Sequence, residues 1–193
     1  MTAESPLDRI VIVLWETQDL VNIAGTVRAM KNFGLTRLRL VTPAEWDAYR
    51  IEGIAHDTED VVAKATIHDT LTDALADCAH VVALSARGRR AKRAMARPRE
   101  IAPELLERAS ALIEAGDPSS IALLFGREDQ GLSNAALDLA HRTVSIPTNP
   151  DHKSLNLAQA VLVMAYELWL ADERSQQEFK APRRDSVPAL HAA

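Results

Sequence analysis

Cysteine is almost absent from this sequence, which has a single one, Cys78, among 193 residues. One thiol excludes an internal disulfide and any zinc or iron–sulfur site that is built from several cysteines. The six histidines show no HExxH spacing or similar pairing, which a zinc-dependent hydrolase would need. The sequence therefore predicts no metal site, and Cys78 is interpreted as a small packing residue.

A long hydrophobic run is also missing. The longest one, Leu157 to Leu170, has 14 residues and contains Gln159 and Glu167, whereas a helix needs about 20 apolar residues to cross a bilayer. The N-terminus shows no apolar segment of the kind that directs secretion. We therefore expect no membrane association, a cytoplasmic location and a buried helix over Leu157 to Leu170.

Positive charge is in the minority, with 22 Lys and Arg residues against 27 Asp and Glu residues and a net charge of −5. Seven of the basic residues nevertheless fall within the thirteen residues from Arg87 to Arg99, where no residue is acidic. Such a concentration is typical of phosphate-binding surfaces, although a solvated loop would show the same composition. Both interpretations stay open on composition alone.

Short apolar runs rich in β-branched residues recur along the chain, and most of them do not alternate with polar residues. Unbroken runs are typical of strands that are covered on both faces, as in a parallel sheet. The sequence predicts five strands, at Ile10 to Trp15, Leu38 to Thr42, His80 to Leu84, Ile121 to Phe125 and Thr143 to Ile146.

Helical patterns lie between these runs. Residues 22–34 carry an apolar stripe, with Asn22 as a plausible N-cap and Gly34 at the end. Two more helices are predicted, over residues 70–78 and from Pro103 to Gly116. The alternation of strands and helices predicts an α/β domain with a parallel sheet and helices on both faces. We expect this domain over residues 1–171, and the end of the last helix and a disordered tail over residues 172–193.

The loops that follow the strands are where an α/β protein usually binds its ligand. The turn after the fourth predicted strand has the G-x-x-x-x-G spacing of a phosphate-binding loop, in Gly126 and Gly131. However, Leu132 stands where that loop needs a lysine, and Glu128 would repel phosphate. No G-x-G-x-x-G is present either, so the sequence excludes both a P-loop and a dinucleotide fingerprint.

Three segments with polar residues remain, and each has an ordinary interpretation when taken alone. Ser154 could be a helix N-cap, Arg28 a solvated residue, and Gly126 and Gly131 turn residues. Their order is more specific than any one of them. The segments, which read NIAGTVRA, LLFGREDQGLSN and IPTNPDHKSLNLAQAVLVMAYEL, resemble the three signature motifs of the SPOUT superfamily of RNA methyltransferases.

The resemblance covers about Arg9 to Ala171 and is strongest to the TrmH and TrmJ branch, which methylates ribose 2′-hydroxyls with S-adenosylmethionine. It implies a C-terminal trefoil knot that includes residues 147–153, a rare exception to the rule against knotted chains. It also implies a homodimer and an RNA substrate, with the tRNA anticodon loop as the expected target. The alternatives are methylation of ribosomal RNA, a catalytically idle RNA-binding assembly factor, and a flavodoxin-like protein that binds another nucleotide.

Arg28 matches the catalytic arginine of that branch, six residues after Asn22. A guanidinium stays protonated at ordinary pH, so Arg28 acts either as a base that depends on its surroundings or as a clamp for the substrate phosphate. Glu128 is the expected charge partner of Arg28. By the same resemblance, the catalytic set comprises Arg28, Asn22, Glu128, Ser154 and Asn156. Ala24 replaces a glycine of the common motif, and its methyl group is expected to crowd the approach of RNA.

The resemblance further assigns residues to the cofactor and to RNA. A glycine at position 126 would let the backbone approach the cofactor closely. The cofactor-binding residues it implies are Leu84, Ser85, Ala86, Gly126, Ile146, Lys153, Ser154 and Leu155. The basic segment follows a strand end that should meet the cofactor, so it would contact the RNA backbone. The RNA-binding residues are therefore expected to be Arg87, Arg89, Arg90, Lys92 and Arg93.

Overall fold

The centre of the protein is a parallel β-sheet, seen in a computed structural model that describes residues 4–86 and 95–172. Within these residues the sheet has seven strands in the order β3-β2-β1-β6-β4-β7-β5. Every neighbouring pair is parallel. The strands are β1 (Ile10–Trp15), β2 (Arg37–Val41), β3 (Thr66–His68), β4 (Cys78–Leu84), β5 (Met95–Ala96), β6 (Ser120–Phe125) and β7 (Arg142–Val144).

The five predicted strands are confirmed, each shifted by two residues or fewer at its ends. The two strands that the sequence did not predict, β3 and β5, are the two edges of the sheet. They have three and two residues, and Thr66 and Ile67 of β3 are exposed. An edge strand this short carries no apolar run, so its pairing is decided by its neighbour in the sheet.

Helices connect the strands. Besides a 3₁₀ helix over Pro6–Arg9, the described residues contain α1 (Leu20–Asn32), α2 (Ala48–Ile54), α3 (Glu59–Val62), α4 (Leu71–Ala74), α5 (Pro98–Glu114), α6 (Asn134–Asp138) and α7 (Leu157–Ala171). The predicted helix over residues 70–78 is only the four residues of α4, because Cys78 already belongs to β4. The predicted start of α5 at Pro103 is wrong. The helix begins at Pro98, where a missing N–H costs nothing.

The sheet is buried on both faces, as the unbroken apolar runs predicted. Alternate residues of β1 point to opposite sides, with Ile10, Ile12 and Leu14 in a large cluster with α1, α5 and α7. Val11 and Val13 belong to a smaller cluster with α4 and α6. Both sets of side chains are fully buried. The predicted arrangement, a parallel sheet with helices on both faces, is therefore confirmed.

Strand β7 occupies a notable position, because it lies between β4 and β5, which are neighbours along the chain. Val144 of β7 pairs with Leu84 on one side and Ala96 on the other. The chain therefore returns late and inserts between two earlier strands. The trefoil knot would involve the connection from β4 to β5, of which residues 87–94 lie outside the described part, and it stays a prediction.

The last described residues end α7. Asp172 is the C-cap of α7 and is buried, with its backbone N–H donating to the Leu168 carbonyl. The predicted tail lies, apart from this residue, outside the described part of the chain. None of the helices in residues 4–86 and 95–172 combines the length and the apolar character that spanning a membrane requires.

Candidate active site at the carboxyl ends of three strands

A cavity of about 400 Å³ opens at the carboxyl ends of β4, β6 and β7. The last residues of these strands, Leu84, Phe125 and Val144, form part of its wall, and the rest comes from the loops that follow them. These strands are neighbours in the sheet, so loops that are far apart in the sequence meet at the carboxyl ends of the strands. This is the position where α/β proteins bind their ligands.

All eight residues that the sequence assigned to the cofactor line this cavity. They come from three separate segments of the chain. The lining set includes Leu84, Ser85, Ala86, Gly126, Ile146, Lys153, Ser154 and Leu155, together with residues 127–132 of the loop after β6. Their convergence was predicted only through the family motifs, and their contact with a cofactor stays a proposal.

The loop after β6 folds tightly back on itself. The Gly131 N–H donates to the Arg127 carbonyl at 2.8 Å, and these two residues form an isolated bridge. A Cβ atom at Gly126 would lie 2.3 Å from the backbone carbon of Gly131. Glycine at position 126 is therefore required by the loop's own backbone, whereas the sequence interpretation attributed it to the approach of a ligand.

The carboxylate of Glu128 joins this loop to the loop after β1. It accepts hydrogen bonds from the backbone N–H groups of Gln18, at 3.0 Å, and Asp19, at 3.3 Å. It also accepts one from the side-chain amide of Asn22 at 2.9 Å. Within the described residues of one chain, Glu128 has no cationic partner, so its pairing with Arg28 stays a prediction.

Asn22 and Asn156 extend the network from Glu128 to helix α7. The Asn156 amide N–H donates to the Asn22 side-chain oxygen at 2.7 Å. The Asn156 side-chain oxygen accepts from the backbone N–H groups of Ala158 and Gln159. Because this oxygen caps the helix, the amide nitrogen must face Asn22, and Asn22 must in turn donate to Glu128. The orientation of both amides is thus fixed by the start of α7.

The predicted N-caps of two helices, Asn22 for α1 and Ser154 for α7, are wrong. Helix α1 starts at Leu20 with Asp19 as its N-cap, whose carboxylate accepts from the Val21 N–H at 2.8 Å. Asn22 therefore lies inside the first turn, with its side chain free for the network. Helix α7 is capped by Asn156, so Ser154 lies before the helix, exposed at the cavity.

Of the predicted catalytic residues, Glu128 and Ser154 line the cavity, and Asn22 and Asn156 are joined to Glu128 by hydrogen bonds. Arg28 belongs to neither group. Its side chain is exposed and donates to the His56 carbonyl at 2.6 Å. On an α-helix, residues six positions apart point about 120° away from each other, so Arg28 and Asn22 face different directions. Ala24, by contrast, is fully buried. The expectation that its methyl group crowds the approach of RNA is wrong, since this group points into the core.

The charged residues at the cavity differ in their partners. Arg127 forms two hydrogen bonds of 3.0 Å with the Asp129 carboxylate and lies 3.7 Å from a Glu16 oxygen. The hydrogen bond from Arg127 is the main reason that the pKa of Asp129 lies below its usual value. No sequence pattern indicated this ion pair, or the Gln18 and Asp19 backbone groups that hold Glu128.

The five residues assigned to RNA binding, Arg87, Arg89, Arg90, Lys92 and Arg93, lie outside the described residues, and their role stays a prediction. In the described part of the chain, no group of three or more His, Cys, Asp or Glu side chains could hold a metal ion. Cys78 is half-buried at the start of β4, and burial raises the pKa of its thiol to about 11.

The chain that forms this cavity matches a known family over most of its length. The SpoU rRNA methylase family matches residues 9–166. The chain belongs to this family. The predicted enzyme class, a methyltransferase, is thereby confirmed, and the residues that line the cavity include parts of two of the three motifs that indicated it. Methyl transfer needs a methyl donor, for which this cavity is the candidate site.

Individual relatives agree with the family. A tRNA (cytidine/uridine-2′-O-)-methyltransferase TrmJ from Yersinia pestis is 43% identical over 183 residues, which cover 95% of this chain and 68% of the relative. The crystal structure of TrmJ from Z. mobilis superposes with a TM-score of 0.72 at 35% identity, covering 82% of this chain and 67% of the other. A structure described as showing 2′-OH methylation of C/U34 on tRNA superposes with a TM-score of 0.63 at 26% identity, covering 86% of this chain and 97% of the other.

Proposed function

We propose that this protein transfers a methyl group from S-adenosylmethionine to the ribose 2′-hydroxyl of a pyrimidine nucleotide in the anticodon loop of tRNA. The observation that carries the proposal is the convergence of eight predicted residues, from three separate segments, on one cavity at the carboxyl ends of the strands. The names of the similar proteins support tRNA as the substrate. A tRNA substrate would place the reaction in the cytoplasm.

The cavity fits the proposed cofactor. Leu84, Ile146 and Leu155 offer an apolar wall for a base, while Lys153 offers a cation to a carboxylate. When bound, the cofactor supplies an electrophilic methyl group. Ser85, Gly126 and Ser154 line the same cavity, and their backbone and hydroxyl groups would hold the polar part of the molecule.

The network from Glu128 through Asn22 to Asn156 would position the reacting groups. It ties the loop after β6, helix α1 and the start of α7 together by direct hydrogen bonds. These contacts occupy most of the hydrogen-bonding capacity of the two asparagines, so we assign them to holding the loops in place. The Ser154 hydroxyl, which the structure leaves exposed at the cavity, is the better candidate for contact with the ribose.

We propose that Arg28 acts in the active site of a second copy of the chain. Helix α1 packs side by side with α7, where a Cβ atom at Gly25 would lie 2.9 Å from the Ala158 Cβ. Val21, which is exposed, and Arg28 are seven positions apart and nearly coincide around α1. Gly25 lies on the same side of the helix, because it comes four positions after Val21 and three before Arg28. Arg28 is thus presented on the α1 surface next to α7.

The exposed surface of α7 beside α1 is apolar and would form the homodimer interface. Leu162, Tyr166 and Leu170 are exposed at intervals of four residues, which places them in one row along the helix. Apolar side chains clustered in this way are typical of subunit interfaces. In such a dimer, Arg28 would be released from the His56 carbonyl and would clamp the phosphate beside the target ribose, a task that suits a permanently charged guanidinium.

The proposal is tested by incubating the protein with S-adenosylmethionine that is labelled in its methyl group, and with purified tRNA or ribosomal RNA. Nucleoside analysis should find labelled 2′-O-methylcytidine or 2′-O-methyluridine in tRNA. Arg28→Ala should lower the rate at least about a hundredfold, since it removes a charged contact made in the transition state, and should leave cofactor affinity unchanged.

Three outcomes would contradict parts of this proposal. Product in ribosomal RNA alone would favour the substrate that the family description names. Cofactor binding without any product would favour an idle RNA-binding factor. An active monomer, measured by light scattering at the concentration of the assay, would contradict the placement of Arg28. We expect Leu162→Glu to produce a monomer that has no activity, because it puts a charge into the proposed interface.

A further inference from the structure

The cavity wall carries one carboxylate, that of Glu128, that no cation of the described residues neutralises. Within those residues its hydrogen-bond partners are electrically neutral, namely two backbone N–H groups and the Asn22 amide. In residues 4–86 and 95–172, no Lys, Arg or His forms an ion pair with it. These donors fix the position of the carboxylate but leave its negative charge uncompensated.

The neighbouring charges make this arrangement specific to Glu128. Asp129 also lines the cavity, but it is paired with Arg127 through two hydrogen bonds. Lys153 lines the cavity from the loop before α7 and has no acidic partner in the part of the chain that the structure describes. Among the described residues, the cavity therefore presents one negative and one positive charge that have no ion-pair partner, and they come from two different loops.

We propose that Glu128 determines the selectivity of this cavity for the cationic methyl donor over the neutral-sulfur product, and that Lys153 binds the carboxylate that both molecules share. This inference rests on the proposed function. Transfer breaks the carbon–sulfur bond and forms a carbon–oxygen bond, and the hydroxyl proton is lost to solvent. The electron pair of the broken bond stays on sulfur, so the sulfonium charge disappears and the attraction to Glu128 ends with it.

A charge-based selectivity has a consequence that a purely structural role lacks. Attraction between a fixed carboxylate and a sulfonium weakens as salt screens it, whereas packing and neutral hydrogen bonds respond far less. Glu128 is only half-buried, so salt ions can reach its surroundings. Product would leave more readily than donor for electrostatic reasons alone, which favours turnover.

The test is isothermal titration calorimetry of the full chain with S-adenosylmethionine and with S-adenosylhomocysteine, the product that lacks the methyl group. Glu128→Gln should lower the affinity for the donor by about tenfold, an effect expected for one partly screened charge pair, and change the affinity for the product by less than about twofold. Lys153→Met should lower both affinities by the same factor. Asp129→Asn is the matched control, because Arg127 keeps a second acidic partner, Glu16, in that variant, and it should change the affinity ratio by less than about twofold.

A measurement without any variant guards against misfolding of Glu128→Gln. In the unmodified protein, the ratio of donor to product affinity should fall as sodium chloride is raised from low to high concentration. Equal losses of donor and product affinity in Glu128→Gln, or an affinity ratio that does not respond to salt, would overturn the inference while leaving the proposed function intact. Failure of the unmodified protein to bind either molecule would overturn the proposed function, and this inference with it.

Discussion

Charged residues at the amino ends of the strands differ in their partners from Glu128 and Lys153 at the carboxyl ends. Toward the amino ends of the strands, Arg39 and Asp77 form a two-pronged ion pair, with nitrogen–oxygen distances of 2.5 and 2.8 Å, and Arg37 donates to the Ser120 hydroxyl at 2.8 Å. At the carboxyl ends, Glu128 and Lys153 line a cavity, and neither forms an ion pair within the described residues. Paired charges serve the fold, while charges that are held apart from partners are available to a ligand.

This contrast predicts that substitutions at the carboxyl ends change binding and that substitutions at the amino ends change stability. Each of the following predictions tests whether effects on binding and effects on stability are separated in this way. They are ordered from the largest expected effect to the smallest.

Gly126→Ala should produce the largest effect. The new Cβ atom would lie 2.3 Å from the Gly131 backbone carbon, and a backbone atom cannot give way as a flexible side chain can, so the loop must open. We expect cofactor affinity to fall at least about thirtyfold, a loss typical of a displaced binding loop, with about 1–2 kcal/mol lost from the free energy of unfolding. Calorimetry and urea denaturation measure the two quantities.

Gly53→Ala is the control for that substitution. Position 53 lies in α2, and a Cβ atom there would have no neighbour within 4 Å. Alanine should therefore raise the free energy of unfolding by up to about 1 kcal/mol, because it favours the helix, and leave cofactor binding unchanged. A loss of binding in this variant would show that the two regions are not separable.

His80→Asn should change how stability depends on pH. Burial, with a smaller contribution from Arg108, lowers the pKa of His80 to about 4. As pH falls from about 6.5 toward 4, His80 therefore becomes protonated in the unfolded chain but not in the folded one. The free energy of unfolding decreases over that range. The dependence should reach about 1 kcal/mol per pH unit in the unmodified protein and be flatter in the variant. Urea denaturation at several pH values measures it, and identical slopes would contradict the prediction.

Asp77→Asn should have the smallest effect of the set. Hydrogen bonding from Arg39 lowers the pKa of Asp77 to about 2, but the Asp77 side chain is 53% exposed, so solvent screens much of the interaction. We expect the variant to lose about 1 kcal/mol of unfolding free energy above pH 5. Because the folded pKa is depressed, the difference between the two proteins should vanish as pH falls from about 4 to 2. Methyl-transfer rates at neutral pH should be equal.

The parts of the fold that were predictable from the sequence were those with a strong local signal. The five buried strands and the buried helix α7 each carry an apolar run, and all were predicted within two residues of their ends. Short elements such as α3, α6, β3 and β5 have two to five residues. Their positions depend on the neighbours they pack against, so no local pattern revealed them.

The candidate site shows the same limit at the level of single side chains. The family motifs identified the residues that line the cavity, but not the directions of their hydrogen bonds. That Asp19 rather than Asn22 caps α1 depends on one contact, between the Asp19 carboxylate and the Val21 N–H. The network from Glu128 to Asn156 joins residues more than 100 positions apart. The placement of Arg28 could not be predicted from one chain, because the proposed site requires two.

The insertion of β7 between β4 and β5 also constrains how the protein is made. A ribosome releases β4 and β5 before β7 exists, so β5, whose one neighbour in the described sheet is β7, cannot join the sheet until β7 has been made. The wall of the cavity, which needs Val144 and the loop up to Leu155, can form only after the chain has emerged as far as Leu155. Pairings between such distant segments slow folding, and until then the exposed strand edges are a target for chaperones.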